Sequence, residues 1–142
     1  MILAATDRSA LVVRAIEATI AGDSSAVGEL YTTDVVAWSP TASVSSLVEL
    51  SVEIEDPEDA FSEIEVVCRP GIEGDRVCVE WAASLLLSGP FKLGDSQVIA
   101  PTGRRVTVRG ATVAVFRGDR MSAIRHYWDE AGLLRELDPP NR

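Results

Sequence analysis

The sequence predicts an α+β domain, because apolar residues repeat first at helical spacing and then at strand spacing. Apolar side chains recur three and four positions apart over 7–23, which is typical of a helix with one apolar face. Over 76–87 and 106–128 apolar and polar side chains alternate, as they do in strands with one buried face. Helices that precede such strands must cover one face of a curved antiparallel sheet. We therefore expect a cone that encloses a pocket.

A chain of 142 residues predicts a single domain over 1–142, with frayed ends at 1–6 and 138–142. The formal net charge of −9 disfavours nucleic acid and anionic membrane surfaces as partners. No basic segment leads into an apolar stretch at the start, so we expect no signal peptide and a cytoplasmic location. One histidine and two cysteines make no zinc site, and we expect no metal and no cofactor.

The N-terminal part of the chain contains two helix signals in succession. Asp7 or Ser9 is the expected N-cap of the first helix, and Gly22 is its expected C-terminal stop. Asp23 or Ser24 is then expected to cap a second, short helix.

A short strand is expected over 34–39, and Pro40 ends it. Residues 45–61 are ambiguous, but the spacing of their leucines and isoleucine favours a helix that Pro57 breaks. The remainder reads as strands joined by turns, followed by a last helix. These strands are expected at 64–69, 76–87, 106–116 and 121–128, with a loop-rich segment at 88–103 and a helix at 130–137.

These elements resemble the nuclear-transport-factor-2-like superfamily, and within it the SnoaL-like polyketide cyclases. The resemblance rests on four stretches that cover most of the chain: AGDSSAVGELYTTDVVAWSP (21–40), GDRVCVEW (74–81), PTGRRVTVRGATVAVFRGDRM (101–121) and IRHYWDEAGLLREL (124–137). It implies a cone-shaped, cystatin-like fold whose pocket takes a small hydrophobic molecule, with polycyclic and aromatic metabolites among the candidates. The motifs specify the fold and not the activity, since the superfamily contains isomerases, cyclases, epoxide hydrolases, dehydratases and non-catalytic binders.

The resemblance also implies functional positions, and this sequence departs from the family at each of them. The acid/base Asp of the polyketide cyclases falls at His126, and the His of their preceding strand falls at Thr112. The base of the ketosteroid isomerases falls at Ser39, and their two oxyanion donors fall near Ala15 and Thr112. The usual isomerase mechanism is therefore not expected. A cyclase-type mechanism requires His126 to take the place of the Asp.

The only histidine of the chain lies on the last predicted strand. Alternation places His126 on the same face as Ile124 and Trp128, and the family fold turns that face toward the hollow. A three-residue hairpin at 118–120 would set Thr112 opposite His126, where its hydroxyl could bind the ring and fix the tautomer. An imidazole titrates near pH 6.5, so His126 is suited to acid/base chemistry at neutral pH.

The surroundings of the ring decide its charge. Burial would lower the pKa of His126, whereas a nearby carboxylate, for which Asp34 and Asp129 are the candidates, would raise it. We predict His126 and Asp129 as catalytic residues, although Asp129 also fits the N-cap of the last helix.

We also predict a group of ligand-binding residues whose side chains carry a hydroxyl or an aromatic ring. The tryptophans of this group fit either the wall of a pocket or the packed core. A core role is also open for His126, because a single inward-facing histidine is more often a hydrogen-bonded core residue than a catalyst. The group comprises Thr112, Ser39, Trp38, Trp81, Trp128 and Tyr31.

Three functions remain open at this stage. The first is an enzyme that performs cyclase, isomerase or lyase chemistry on a hydrophobic metabolite by proton transfer next to a carbonyl. The second is a non-catalytic ligand-binding domain, and the third is a structural dimer whose hollow is filled by its own side chains. The opposite sheet face carries Ala111, Val113 and Val115, which is too apolar for a fully solvated surface. We therefore expect a homodimer through the back of the sheet.

Overall fold

The computed structural model describes residues 5–55, 61–71, 76–93, 97–100 and 102–137 of the chain. They form helices and a six-stranded sheet, which confirms the predicted α+β class. The elements in chain order are α1 (Ala5–Ala21), α2 (Val27–Leu30), β1 (Tyr31–Ser39), β2 (Ala42–Val44), α3 (Leu47–Ile54), β3 (Phe61–Pro70), β4 (Arg76–Leu87), β5 (Phe91–Leu93), β6 (Gln97–Ile99), β7 (Arg105–Arg117), β8 (Arg120–Trp128) and α4 (Glu130–Leu137).

The six-stranded sheet has the order β2-β1-β8-β7-β4-β3 and stays open at both edges. Its pairs are antiparallel except β1 with β8, which is parallel, so the expectation of a wholly antiparallel sheet is wrong at this one pair. A parallel pair needs a long connection, and nearly the whole sheet separates β1 from β8 along the chain. The segment expected to be loop-rich contains a separate hairpin of β5 and β6.

The first helix ends where the sequence predicts and begins earlier than predicted. Gly22 has φ 71°, its N–H donates to the carbonyl of Thr19 at 3.2 Å, and the N–H of Asp23 donates to the carbonyl of Ala18 at 2.9 Å. This is the glycine-terminated helix end that the left-handed conformation permits. Because α1 already begins at Ala5, neither Asp7 nor Ser9 is its N-cap. Residues 1–4 and 138–142, which belong to the expected frayed ends, lie outside the described residues.

The next two helices differ in how they begin. Helix α2 has no side-chain cap, because the carboxylate of Asp23 accepts instead from the N–H of Ser25 at 2.9 Å. Helix α3 confirms the helix favoured within 45–61, and the hydroxyl of Ser46 caps it by accepting from the N–H of Glu49 at 3.1 Å. Pro57, the predicted helix breaker, lies outside the described residues.

The inner face of the sheet and the helices over it form one core. The alternation predicted for the long strands is confirmed, because inward residues of β4 such as Val77 and Val79 are fully buried while Glu80 is exposed. Val12 and Ile16 of α1 and Leu50 of α3 cover this face. The helices thus lie over the concave side, next to the inward residues of β1 and β8. None of the described helices is long and apolar enough to cross a membrane.

Candidate functional site

His126 lies on the inner face of β8, close to the end of the strand. Burial alternates along the strand as predicted, because Ile124 and His126 are buried while Arg125 and Tyr127 are exposed. Only 8% of the His126 surface is accessible. The ring is therefore a polar group within an otherwise apolar face, and its hydrogen-bond partners decide what it can do.

Thr112 of β7 lies directly opposite His126, which confirms the predicted pairing. The predicted three-residue hairpin at 118–120 is wrong, because Arg117 pairs with Arg120 across a two-residue turn and a bulge at Ser122 restores the register. The hydroxyl Oγ1 of Thr112 is 2.8 Å from Nδ1 of His126. The indole Nε1–H of Trp81, on the neighbouring strand β4, donates to the same Oγ1 at 3.0 Å. Three side chains from three adjacent strands thus form one buried hydrogen-bonded row.

Gly110 makes room for the first member of this row. A Cβ at this position would collide with the indole of Trp81 and with the carbonyl oxygen of Tyr127. The Trp81 ring fills the space that the absent side chain of Gly110 leaves. Because the indole lies over the glycine, its N–H reaches Thr112.

Burial alone sets the charge of the imidazole. It lowers the pKa of His126 from 6.5 to about 4, since the low-polarity surroundings disfavour the charged ring. Neither of the carboxylates proposed to raise this pKa does so. Asp34 accepts from the guanidinium of Arg117 at 2.6 Å on the surface, and Asp129 serves a helix cap. His126 is therefore neutral at pH 7.

A cavity of about 130 Å³ lies beside His126 and opens partly to solvent. It is bounded by the end of α1, helix α3, the hairpin of β1 and β2, and the end of β8. Its walls are mostly apolar, with a few hydroxyls, one carboxylate and the imidazole. The lining residues are Thr19, Ala37, Trp38, Ser39, Thr41, Ala42, Val44, Leu50, Glu53, Ile54, His126 and Trp128.

Three of the predicted ligand-binding residues border this cavity. Ser39 and Trp128 do so from β1 and from the end of β8. Trp38 also borders it, but the ring of Trp38 lies on the outer face of the sheet, where it packs against Tyr127 with centroids 5.0 Å apart and the ring planes tilted by 45°. Successive residues of a strand point to opposite faces, so Trp38 cannot share the inward face that Ala37 and Ser39 occupy.

The other predicted ligand-binding residues do not line the cavity. Thr112 is fully buried behind His126, and Trp81 lies in the core over Gly110. Tyr31 is also sealed in the core, where its hydroxyl contacts Thr19 and burial raises its pKa to about 12. Thr112 and Trp81 therefore act on the cavity only through His126.

Asp129, predicted as a catalytic residue, lies outside the cavity lining. Its Oδ1 accepts from the backbone N–H of Gly132 at 2.9 Å, which confirms the predicted N-cap of α4. The carboxylate is exposed and committed to the helix end.

Glu53 is the charged residue of the cavity lining, and it is absent from the predicted site. It is exposed on α3, in a segment whose acidic residues read as a solvated surface. Leu50 and Ile54, which are four positions apart and both buried, indicate the helix, but only the packing of α3 over β1 shows that Glu53 borders the cavity. Among the described residues, no group of three or more His, Cys, Asp or Glu side chains is arranged to hold a metal ion.

The chain has the nuclear-transport-factor-2-like fold. The chain belongs to the SnoaL-like domain family, whose profile matches residues 12–124. Both statements confirm the resemblance on which the fold prediction rests. No curated protein sequence matches the chain.

Solved structures of low sequence identity share this fold along nearly the whole chain. A protein from Jannaschia sp. CCS1, assigned as a SnoaL-like polyketide cyclase, is 20% identical with a TM-score of 0.78, and the match covers 96% of this chain and 94% of that one. TsrD from Streptomyces laurentii is 18% identical with a TM-score of 0.77, covering 97% and 99%. A protein with a ketosteroid isomerase-like fold from Catenulispora acidiphila DSM 44928, in complex with trimethylamine, is 18% identical with a TM-score of 0.69, covering 92% and 93%.

The buried imidazole predicts a loss of stability in mild acid. The unfolded chain takes up the histidine proton near pH 6.5, whereas the folded chain resists it until about pH 4. Below pH 6.5 the unfolded state therefore binds more protons, and the free energy of unfolding falls as the pH falls. The total loss from His126 is roughly 3 kcal/mol. Urea unfolding of the wild type and of His126→Gln from pH 7 to pH 4 measures it, and equal slopes for the two proteins would contradict it.

Proposed function

We propose that this domain binds a small, mostly apolar molecule in the cavity beside His126 and performs acid/base chemistry of the cyclase, isomerase or lyase type on it. The observation that carries this proposal is the cavity of about 130 Å³ with the buried imidazole in its lining. A pocket of apolar walls with a few polar groups is the usual form of a small-molecule site. The same cavity argues against a hollow filled by the protein's own side chains.

The volume limits the size of the ligand. An engineered apolar cavity of about 150 Å³ holds one benzene molecule. A single six-membered ring is therefore the largest unit that this cavity of about 130 Å³ encloses. A polycyclic metabolite would place one ring inside and extend through the mouth. Apolar side chains such as Val44 and Ile54 favour a hydrocarbon ring in the interior.

The chemistry rests on two groups in the lining. His126 offers a ring nitrogen, and Glu53 offers a carboxylate from the opposite, helical side of the cavity. Removal of a proton from carbon next to a carbonyl needs a base for the proton and a donor for the oxygen. The assignment of the Jannaschia protein as a polyketide cyclase supports small-molecule chemistry on this fold, and the trimethylamine complex of the Catenulispora protein supports small-molecule binding.

Binding without catalysis is the second candidate, and one observation favours it. A shuttling base works best when its pKa lies near the working pH, whereas burial lowers the pKa of His126 to about 4. A neutral imidazole with such a low pKa is a weak base, but its N–H still donates a hydrogen bond. A ligand-binding domain needs no more than that.

A homodimer through the outer face of the sheet completes the proposal. Several large apolar side chains on that face are exposed, including Val36 at 53% and Tyr127 at 42%. Trp38 extends the same patch from β1. Contiguous apolar surface of this kind is typical of an interface.

Ring-sized ketones should bind in the cavity. Titration with cyclohexanone, followed through the indole N–H signal of Trp128, is expected to saturate. Ala42→Phe places a ring-sized side chain in the lining and should weaken binding about tenfold or more, a loss of ~1.4 kcal/mol at least. Ala10→Phe is the matched control, because Ala10 is exposed on α1 outside the cavity. Equal affinity in both variants would place the ligand elsewhere.

Catalysis and simple binding differ in what happens to the carbon-bound protons of the ligand. A catalytic site is expected to accelerate exchange of the protons next to the carbonyl of cyclohexanone in D₂O, measured by proton NMR. Glu53→Gln should abolish that acceleration, since an amide cannot accept the proton. Glu136→Gln, on an exposed position of α4, serves as the control. Exchange at the rate of free cyclohexanone in the wild type would favour the non-catalytic candidate.

The oligomeric state tests the proposed interface. Light scattering at micromolar concentration is expected to give the mass of a dimer for the wild type and of a monomer for Val36→Lys. Val48→Lys introduces the same charge at an exposed position of α3 and should leave the dimer intact. A monomeric wild type would remove the interface proposal.

A further inference from the structure

We infer that His126 presents a protonated Nε2 to the cavity, in a tautomer set by Thr112, and that the site selects ligands which offer an oxygen acceptor there. The tautomer follows from the hydrogen bonds of the buried row. The ligand preference rests on the proposed function, and the experiment below separates the two.

The row has a direction because its first member can only donate. The indole nitrogen of Trp81 carries a hydrogen and has no lone pair to accept with. At 3.0 Å from Oγ1, it therefore donates to Thr112. Trp81 therefore cannot accept the hydroxyl hydrogen of Thr112, and that hydrogen needs a different acceptor.

The remaining partner of the Thr112 hydroxyl is Nδ1 of His126, at 2.8 Å. No other acceptor for this hydrogen occurs among the hydrogen bonds of the described residues, and Thr112 is 0% exposed, so bulk water does not reach it. If Nδ1 carried the ring proton, the hydroxyl hydrogen would be left buried without an acceptor. A buried donor without an acceptor is unfavourable, because it has lost its hydrogen bond to water. The Thr112 hydroxyl accordingly donates to an unprotonated Nδ1.

A neutral imidazole carries one proton, so that proton resides on Nε2. Burial keeps the ring neutral, as its lowered pKa indicates. Nε2 has no partner among the described residues and is not sealed in the core, while the ring borders the cavity. The group that meets a ligand is thus an N–H donor in a mostly apolar pocket.

This donor determines which ligands fit. A carbonyl or ether oxygen can accept from Nε2–H, whereas a hydrocarbon of equal size leaves the N–H unpaired. In a reaction, the N–H would stabilise negative charge on a carbonyl oxygen while the Glu53 carboxylate takes the proton from the adjacent carbon. The electron pair of the broken C–H bond forms the C=C bond of the enolate, the proton stays on Nε2, and Glu53 returns its proton to carbon. Thr112 and Trp81 are then positioning residues.

The single histidine makes the tautomer directly measurable, because ¹⁵N-histidine labelling gives signals from one ring. At pH 7 we expect Nε2 to show the shift of a protonated nitrogen and Nδ1 that of a pyridine-type nitrogen. In Thr112→Val the Nδ1 signal should move further downfield, since the acceptor loses its donor. In Thr107→Val, on an exposed position of the same strand, both signals should stay in place. A predominant Nδ1–H form, a charged ring, or an Nδ1 signal unaffected by Thr112→Val would overturn the tautomer assignment.

The ligand preference is tested in the same spectra with two probes of one shape. Cyclohexanone should shift the Nε2–H proton downfield, and methylenecyclohexane, in which CH₂ replaces the oxygen, should not. Equal effects of both probes would overturn the preference. If neither probe binds while Nε2 carries the proton, the proposed function fails and the tautomer assignment stands. If both bind while Nδ1 carries the proton, the inference fails and the proposed function stands.

Discussion

The hydrogen bond between Thr112 and His126 determines how the imidazole is oriented and which of its nitrogens faces the cavity. It joins the two central hairpin strands at the point where the sheet meets the cavity, and it gives a buried polar ring the partner that burial demands. Trp81 supports it from the next strand, and Gly110 leaves the space for that indole. An imidazole oriented in this way is held neutral in an apolar face, with one nitrogen bound to the sheet and the other turned to open space.

The buried hydrogen-bonded row contributes to stability, whereas the cavity is the part of the site that is open to a ligand. Trp81 donates to Thr112 inside the core, and Thr112 binds His126, so both contribute rigidity without lining the pocket. The cavity lies between β1, β2, α3 and the end of β8, where the short strand β2 and the exposed residues of α3 form its rim. A ligand in this cavity would meet the Nε2–H that we infer for His126 and the carboxylate of Glu53. Because the His126 ring is held rigidly and the rim of the cavity faces solvent, the site favours one orientation of a single-ring ligand.

Features governed by short-range rules follow from the sequence. Alternation predicts which face of β8 is buried, and Thr112 is correctly predicted opposite His126, but a two-residue turn and a bulge at Ser122 set that register in place of the predicted three-residue turn. The cap at Asp129 and the glycine stop at Gly22 follow from local chemistry. The parallel pairing of β1 with β8 and the inclusion of Glu53 in the lining do not, because both arise from elements distant in the chain. The outward ring of Trp38 and the indole over Gly110 likewise depend on packing between strands rather than on spacing along one of them.

Neutron diffraction from crystals exchanged into D₂O tests the central hydrogen bond most directly, because deuterium is visible on individual side-chain atoms. The expected result is deuterium on Oγ1 of Thr112, directed at an unprotonated Nδ1 of His126, together with deuterium on Nε2 at the cavity. Deuterium on Nδ1, with the Thr112 hydroxyl turned elsewhere, would contradict the assignment of His126 as a donor to the ligand.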